Sequence, residues 1–448
     1  MVRRFYRHLT VGRVILMLPL VAIITQARQM VRDNSFLWHI RAGELQIADN
    51  SVLTADPFSF IALGEPWRTQ SWLADLLYGF FEGLSPLTVG SWVTAFSALL
   101  LVGCVGIRAY RALPSTLVAG VVSLWVMWLS LGWFSPRPVV ISLGMFSLLL
   151  LVGDYPRLRW TIPLLMWIWA SIHGGFVVGL GYLALDGLRR RDRTRIADVA
   201  VSAAFASVTA HGWGVWEVLL AFVRSNEALD SIIEWATPDL FSIALIPFLG
   251  VLVALIVAAR AGRMSSGDLW VVVPFLLFAF TAGRSVPLAA LALVPWMTLS
   301  LERLTRFAPS RSEGSPITAL VAAVVLLVPF LVPLDGGLDP ARFPLEAAEH
   351  LTAERVFHDD AIGGYLIYSQ FPDRLVYIDD RAELFEERYV AFGKARGGLP
   401  VWQEVFDEHG FEEVLLRKEA PLIQVLTAGG WLERFSDETF IVLEQPPS

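Results

Sequence analysis

The chain has 448 residues, of which 55% are hydrophobic and 17% charged, and its mean hydropathy is +0.57. One soluble core cannot bury that much apolar surface, so the composition predicts an integral membrane protein with the lipid bilayer as its surroundings, and we expect no nucleic-acid partner. The formal charge of −7 is uneven, because residues 335–448 hold 23 acidic and 10 basic side chains. The sequence therefore predicts a basic transmembrane domain, 1–334, followed by an acidic soluble domain, 335–448.

Eleven apolar runs are long enough to cross or line a bilayer of about 30 Å. They cover 14–31, 87–107, 115–133, 138–152, 160–172, 176–188, 196–210, 240–259, 269–282, 286–301 and 317–334. Arginines mark the start of the chain and every second connection, namely Arg3, Arg4, Arg7, Arg13, Arg108, Arg111, Arg157, Arg159, the cluster 189–195, Arg260, Arg263, Arg303, Arg306 and Arg311. By the positive-inside rule these connections and the amino terminus are cytoplasmic, and the carboxy-terminal domain is extracytoplasmic.

The runs 160–172 and 176–188 are each too short to cross the bilayer alone. A single long helix through Gly174 and Gly175 would place one flanking arginine cluster on the outer side, against the positive-inside rule. We therefore predict two short helices that turn at residues 173–175 and line a watered cavity, because a turn at membrane depth needs such an environment. His173 would face that cavity.

The segment 32–86 is the only long polar stretch between apolar runs in the first half of the chain. Asp33 follows the first run directly, His39 and Arg41 come six and eight residues later, and Asp56 precedes Pro57. An acidic group at the end of a membrane helix is costly unless it is paired or functional. Asp33 is therefore a candidate catalytic residue, and the alternative is that it caps a short interfacial helix.

Two arginines of the predicted outer side stand at helix ends. Arg137 lies in a Pro-Arg-Pro sequence and Arg284 in Gly-Arg-Ser-Val-Pro. The guanidinium group suits a phosphate or pyrophosphate, to which it can donate two hydrogen bonds in parallel. The alternative is that each arginine extends to lipid headgroups.

Aromatic and histidine residues also collect on the predicted outer side. An interfacial aromatic belt is the favoured interpretation of the tryptophans, and stacking against a sugar is the alternative; they are Trp38, Trp67, Trp72, Trp133, Trp213 and Trp216. His211 opens a polar segment, 211–239, that predicts an amphipathic helix. His173 and His211 lack a metal-binding spacing, so we predict no metal site on them.

The domain at 335–448 alternates predicted strands with predicted helices. Strands are predicted around RVFHDD, RLVYIDD, EEVLLRK and ETFIVLEQ, and helices or turns around FPLEAAEHL, AIGGYLIYSQ, VWQEVFDEHG and PLIQVLTAGG. This order predicts a small α/β domain with a mainly parallel sheet that folds independently. Its acidic pairs, Asp359-Asp360 and Asp379-Asp380, could bind a divalent cation, although we favour caps or solvent-facing positions.

The motifs of this chain resemble those of a known family in order as well as in content. WHIRAGE (38–44), ADPFSF (55–60), GEPW (64–67) and SWLADLLY (71–78) are similar to the first outer loop of bacterial GT-C glycosyltransferase-like membrane proteins, distant relatives of protein O-mannosyltransferases. The stretches at 136–138, 169–180, 211–217, 283–287, 363–368 and 376–381 resemble later blocks of the same group. The resemblance extends over nearly the whole chain.

This resemblance implies a multi-pass enzyme of the bacterial inner membrane. Such an enzyme takes a sugar from a polyprenyl-phosphate donor and transfers it to an acceptor hydroxyl of a glycan, lipid or protein on the outer face. The acidic residue of the first outer loop corresponds to Asp33, with Asp56 as a second catalytic candidate. Donor-phosphate binding corresponds to Arg137, His173 and Arg284. We add a group of substrate-cavity residues, His39, Arg41, Trp67, Trp72 and His211.

Two departures from the family pattern bear on activity. Residues 33–34 are Asp-Asn where many relatives have a more acidic pair, and residues 209–214 read TAHGWG where relatives tend to have an Asn-Pro-Tyr-Gly turn. The alternative functions are a transporter or lipid-binding scaffold of the same fold without chemistry, and a degenerate member that presents its carboxy-terminal domain to partners. A transporter would predict repeats between the two halves of the chain, which the sequence does not display.

Overall fold

The structure is a computed structural model, and it describes residues 10–27, 31–81, 83–217, 220, 246–306, 315–331 and 337–446. Arg3, Arg4, Arg7 and Arg311, most of the predicted amphipathic segment 211–239, and part of the predicted connection to the carboxy-terminal domain lie outside these residues. The chain forms two compact units. The first comprises residues 1–29, 90–215 and 232–336, and the second comprises 30–89, 216–231 and 337–448.

Every predicted apolar run overlaps an α-helix. These helices are α1 (Val11–Ala27), α4 (Pro86–Ala112), α5 (Thr116–Ser130), α6 (Pro138–Gly153), α7 (Ile162–Ile172), α8 (Phe176–Arg190), α9 (Arg193–Ala206), α10 (Ile246–Arg260), α11 (Leu269–Ala279), α12 (Ser285–Ser300) and α13 (Pro316–Leu331). Local signals fix several ends: the Ser115 hydroxyl and the Asp192 carboxylate cap α5 and α9, and Pro138 occupies the first position of α6.

Two helices of the described residues are long and apolar enough to cross a membrane, Thr88–Ala112 and Thr116–Trp133. Several other apolar helices are shorter, with 10–17 residues. The predicted break at residues 173–175 is present, since α7 ends at Ile172 and α8 begins at Phe176. The first unit is therefore built mostly from short helices, whereas the sequence predicts short helices only at 160–172 and 176–188.

Aromatic rings pack α6, α7, α8 and α11 together inside the first unit. Phe146 of α6 lies between Trp169, Tyr182 and Phe275, with ring centroids 5.9–6.1 Å apart. All four side chains are buried. Rings of this size bury enough apolar area to dominate the packing of the helices that carry them.

Ion pairs join the arginine-rich connections of the first unit. Arg108 pairs with Asp154 at 3.0 Å, and Asp186 accepts hydrogen bonds from Arg189, Arg190 and Arg195. Asp154 also lies 3.4 Å from Arg190, which links the two groups. Connections that the arginine pattern assigns to one side of the membrane therefore lie together at one end of this unit.

The second unit contains the helices α2 (Asn34–Ala48), α3 (Trp72–Phe80), α14 (Asp360–Gln370), α15 (Ala382–Arg396), α16 (Val401–His409) and α17 (Pro421–Ala428). Its strands are β1 (Val356–His358), β2 (Glu413–Arg417), β3 (Leu432–Ser436) and β4 (Phe440–Glu444), in the order β1-β2-β4-β3. Only β1 and β2 are parallel, and the other two pairs are antiparallel. The prediction of a mainly parallel sheet was wrong, because β4 returns beside β2 through the hairpin with β3.

The segment 374–380, predicted as a strand of this sheet, forms instead an isolated bridge with another part of the chain, through Val376. Val376 donates its N–H to Phe58 O at 2.9 Å and accepts from Phe60 N–H at 3.0 Å. Its partner is thus the polar segment of the first half of the chain. Phe60, Ile61 and Ala62 pack against the hydrophobic core of residues 357–443. The segment 32–86, predicted as a loop of the transmembrane domain, and the carboxy-terminal residues therefore share one core.

Candidate active site

Asp33 is the N-cap of α2. Its backbone is extended, with φ −100° and ψ 118°, and its Oδ1 accepts a hydrogen bond from the Phe36 N–H at 3.3 Å. The alternative interpretation of Asp33 as a helix cap is thus correct. A carboxylate offers about four acceptor positions on its two oxygens, so one capping bond is compatible with a further role in proton transfer.

Asp56, the second catalytic candidate, lies in a buried ion pair. Its Oδ1 accepts from Arg381 at 2.7 Å, and its Oδ2 accepts from the backbone N–H of Ser59 at 3.0 Å. Arg381 also binds Asp379, with 2.8 Å from Nε to Oδ1, and all three charged side chains are buried. This arrangement gives Asp56 a structural part in joining the outer loop to the carboxy-terminal residues.

Trp67 and Trp38, considered as belt or sugar-stacking residues, surround the same arginine. The Arg381 guanidinium carbon lies 4.4 Å from the Trp67 ring centroid and 5.7 Å from that of Trp38. Both tryptophans are buried. They provide a cation–π environment for a desolvated charge, which is favourable by about 2 kcal/mol or more at such sites. Trp67, a predicted cavity residue, therefore has a packing role.

His39 and Arg41, two further predicted cavity residues, make contacts inside the second unit. His39 Nδ1 lies 2.5 Å from Asp75 Oδ1, and the Thr69 hydroxyl donates to Asp75 Oδ2 at 2.6 Å. Arg41 donates two hydrogen bonds to the carbonyl oxygen of Tyr368, at 2.8 and 3.0 Å. Sequence reasoning missed Asp75, although the motif SWLADLLY contains it, because nothing local indicates its partner.

Trp72 differs from the other predicted cavity residues in its hydrogen bonding. It is the first residue of α3, and its indole N–H is buried without a hydrogen-bond partner among the residues that the structure describes. An unsatisfied buried donor is costly, which makes this N–H a candidate donor to a bound molecule.

The two acidic pairs of the carboxy-terminal residues bind neighbouring side chains instead of facing solvent. Asp359 pairs with Arg396 at 2.7 Å, and Asp380 accepts from the indole N–H of Trp38 at 3.0 Å. Asp360 accepts from the Tyr389 hydroxyl. Within the described ranges, no group of three or more His, Cys, Asp or Glu side chains is arranged to hold a metal ion. Asp359 stands at the N-cap position of α14, as the favoured interpretation allows, although its side chain makes no capping hydrogen bond. The prediction of solvent-facing positions was wrong, because these carboxylates bind side chains within the second unit.

Asp360 gives this unit a measurable pH dependence. The pKa of Asp360 is raised from 3.8 to about 7, chiefly because the carboxyl group is buried; the Tyr389 hydroxyl lowers it, and the charges of Asp359 and Asp380 contribute to the rise. The folded chain thus binds this proton more tightly than the unfolded chain. The stabilisation that results from proton binding is complete below pH 3.8 and is lost as the pH rises through about 7. The melting temperature of Asp360→Asn, minus that of the original protein, should therefore increase between pH 4 and 7. Asp373→Asn, at an exposed carboxylate, is the matched control, and equal trends in the two variants would contradict the prediction.

Ser142 joins His173 to α6, the helix that Arg137 directly precedes. Arg137 directly precedes α6, with its Nε donating to the Ser135 hydroxyl at 3.3 Å. His173 follows the last residue of α7, and its Nδ1 lies 3.1 Å from the hydroxyl of Ser142, which belongs to the second turn of α6. The structure thus brings the amino-terminal end of α6 and the break at residues 173–175 together.

The hydrogen bonds of His173 define its tautomer. The backbone N–H of Gly175 donates to Nδ1 at 2.9 Å, so this nitrogen is an acceptor and the neutral ring carries its proton on Nε2. The Ser142 hydroxyl oxygen accepts from the Trp169 indole at 2.7 Å and lies 3.1 Å from Nδ1. His173 can therefore offer an Nε2–H donor without becoming charged.

Arg284 and His211 also belong to the first unit. Arg284 directly precedes α12, a helix that packs against α6, and its side chain is half-buried. His211 lies in a turn in which its carbonyl oxygen accepts from the Gly214 N–H at 2.9 Å. Gly212 in the same turn has a φ of +54°, a conformation that favours glycine. Arg284 and His211 therefore lie in the same unit as Arg137 and His173, whereas Asp33 lies in the second unit.

The first unit is predominantly helical with polar residues at its helix ends, and the second unit combines the polar segment 32–86 with a small mixed sheet. The chain is similar in structure to ArnT from Cupriavidus metallidurans. The apo state of that protein gives a TM-score of 0.57 at 16% sequence identity, and the structure bound to undecaprenyl phosphate gives 0.56 at 15%. Each comparison covers 97% of this chain and 99% of that one. The predicted GT-C-like fold is confirmed.

Comparison with protein-family models finds no match, and a search of curated proteins finds none either. The likeness to ArnT is therefore a likeness of fold, at 15–16% sequence identity.

Proposed function

We propose that this protein is a membrane glycosyltransferase that moves a sugar from a polyprenyl-phosphate donor to an acceptor hydroxyl. The observation that carries the proposal is the likeness over nearly the whole chain to a GT-C glycosyltransferase, one of whose structures contains undecaprenyl phosphate. The chain would lie in the bacterial inner membrane, with its amino terminus cytoplasmic and the second unit on the outer face. The ion pairs that join the arginine-rich connections at one end of the first unit support this orientation.

The phosphate of the sugar donor would be bound by hydrogen-bond donors of the first unit, two of them cationic and one neutral. Arg137 and Arg284 stand at the start of helices, where a guanidinium and the positive end of the helix dipole both favour a phosphate. His173 adds a neutral Nε2–H donor. These groups would hold the phosphate before transfer and stabilise the negative charge that it gains when the bond to the sugar breaks.

Asp33 is the proposed general base. The acceptor hydroxyl gives its proton to the Asp33 carboxylate as its oxygen attacks the anomeric carbon. A new carbon–oxygen bond forms there while the bond from the anomeric carbon to the phosphate oxygen breaks, with inversion of configuration. Polyprenyl phosphate leaves with the bonding electron pair. The Trp72 indole N–H is the donor that we assign to a sugar hydroxyl.

Binding of undecaprenyl phosphate to the full chain in nanodiscs tests the donor site. Arg284→Ala and Arg137→Ala should each weaken binding by roughly 10- to 100-fold, since a charged hydrogen bond contributes about 1.5–3 kcal/mol. Arg68→Ala is the matched control, because Arg68 is an exposed arginine paired with Glu217. Equal affinities in all three variants would remove the donor site from the first unit. Binding without any sugar transfer would favour the lipid-binding alternative.

A further inference from the structure

The first turn of α2 is held by residues more than 300 positions away in sequence. Asn34 Nδ2 donates to Asp360 O at 3.2 Å, and Asn34 Oδ1 accepts from the Tyr365 N–H at 3.0 Å. A side-chain amide offers a donor and an acceptor in one plane, so it can satisfy two backbone groups of α14 at once. The carboxylate that the family pattern often has here could accept but could not donate.

Two further side chains of the same turn bind the carboxy-terminal residues. The Ser35 hydroxyl and the Trp38 indole N–H both donate to the carboxylate of Asp380, the latter at 3.0 Å. Three residues of one helix end, at positions 34, 35 and 38, are thus fixed by side-chain hydrogen bonds. Asp33, which caps this turn, is connected to the same contacts through the backbone.

Gly364 brings α14 against this turn. A Cβ atom on Gly364 would lie 2.3 Å from the carbonyl oxygen of Asn34, a distance that real Cβ contacts do not adopt. Gly363, the preceding residue, has the same restriction toward a different neighbour, since its Cβ would lie 2.3 Å from the carbonyl oxygen of Ile378. The two glycines of the motif GGYLIY therefore permit two different close contacts. Gly364 lets α14 contact the first turn of α2, and Gly363 lets it contact residue 378 within the carboxy-terminal residues.

We propose that Asn34 is a positioning residue for Asp33 and that the carboxy-terminal residues take part in the reaction by fixing the direction of the Asp33 carboxylate through it. The inference rests on the proposed role of Asp33 as the base. A reacting group must be held close to its productive geometry, and a displacement of about 1 Å can cost on the order of 100-fold in rate. The carboxy-terminal residues are on this account an integral part of the active site, with Asp360, Tyr365 and Asp380 supporting the turn.

A matched pair of glycine variants in the full chain tests the inference. Gly364→Ala should lower kcat by roughly 10- to 100-fold with little change in the KM for an undecaprenyl-phosphoryl sugar. It should also accelerate amide exchange in residues 34–40. Gly363→Ala introduces an equally close contact, but against Ile378 and Asp379 and not against α2, so it should match the loss of melting temperature while changing kcat and this exchange far less. Equal exchange in residues 34–40 in the two variants would overturn the proposal.

Asn34→Asp provides a readout that a purely structural role would not move. The substitution keeps the shape of the side chain, removes the donor to Asp360 O and places a second carboxylate beside Asp33. Like charges disfavour ionisation, so the acidic limb of the pH dependence of kcat should shift to higher pH. Gly364→Ala changes no charge and should leave this limb in place. An unshifted limb together with an unchanged kcat in Asn34→Asp would contradict the inference.

Failure of the inference and failure of the proposed function give different results. Full activity in Asp33→Asn would remove the base and with it the proposed mechanism. An inactive Asp33→Asn combined with full kcat in both Gly364→Ala and Asn34→Asp would leave the mechanism intact and remove only the positioning role.

Discussion

Asp33→Asn is expected to abolish sugar transfer while leaving the melting temperature nearly unchanged. Asparagine is as good an N-cap as aspartate, so the hydrogen bond to the Phe36 N–H can be kept. The asparagine amide cannot take the proton from the acceptor hydroxyl, and general-base catalysis contributes a factor of about 10² to 10⁴ to the rate. The substitution therefore separates the two roles that the structure allows for this residue. The measurement is release of undecaprenyl phosphate from an undecaprenyl-phosphoryl sugar, beside a thermal melt.

Two companion variants make this result specific. Asp33→Ala should lose activity to the same extent and also destabilise the chain by about 1 kcal/mol, because the cap is lost as well. Asp49→Asn changes an exposed aspartate at the other end of α2 and should keep full activity. Transfer that survives in Asp33→Asn but falls in Asp33→Ala would mean that Asp33 contributes only its cap.

Arg381→Met is expected to destabilise the second unit strongly. Removing one partner of a buried ion pair leaves an uncompensated charge, at a cost of about 3–5 kcal/mol, and Arg381 serves two buried carboxylates, Asp56 and Asp379. The aromatic rings around it would lose their cation as well. The melting temperature should fall, and proteases should cleave residues 337–446 at temperatures that leave the original protein intact.

Arg388→Met is the matched control for this experiment. Arg388 also joins the first loop to the carboxy-terminal residues, through Glu65 at 2.7 Å and the carbonyl oxygen of Ile61 at 3.0 Å. Its side chain is 41% exposed, and exposed ion pairs contribute only about 0–1 kcal/mol. Similar losses in the two variants would show that number of contacts, and not burial of charge, stabilises this junction.

The helices could be predicted from sequence because their signal is local. Each of the eleven apolar runs overlaps a helix, and the break at residues 173–175 follows from run length and arginine placement. The sheet depends on partners that the sequence does not specify. Val376 lies in a segment predicted as a strand, but it forms only an isolated bridge, in which its N–H donates to Phe58 O. Strand β3 was missed because it is a mostly exposed edge strand with charged residues.

The candidate site divides in the same way. Asp33, Arg137, His173 and Arg284 were identified from their places at the ends of apolar runs, and the structure places each of them beside a helix end. The roles of Asp56, Arg41 and Trp67 could not be read, since their partners lie in the carboxy-terminal third of the chain. A charge with an unknown partner looks the same in sequence whether it binds a substrate or an arginine.

The composition of the second unit from residues 30–89 and 337–448 imposes an order on biosynthesis. At about 5–20 residues per second, a ribosome needs on the order of 10–50 s to pass from the first segment to the second. During that interval Asp56 has no Arg381, and Phe58 has no Val376. The segment 32–86 therefore lacks these partners until translation is almost complete, and a chain that stops early leaves the segment without them.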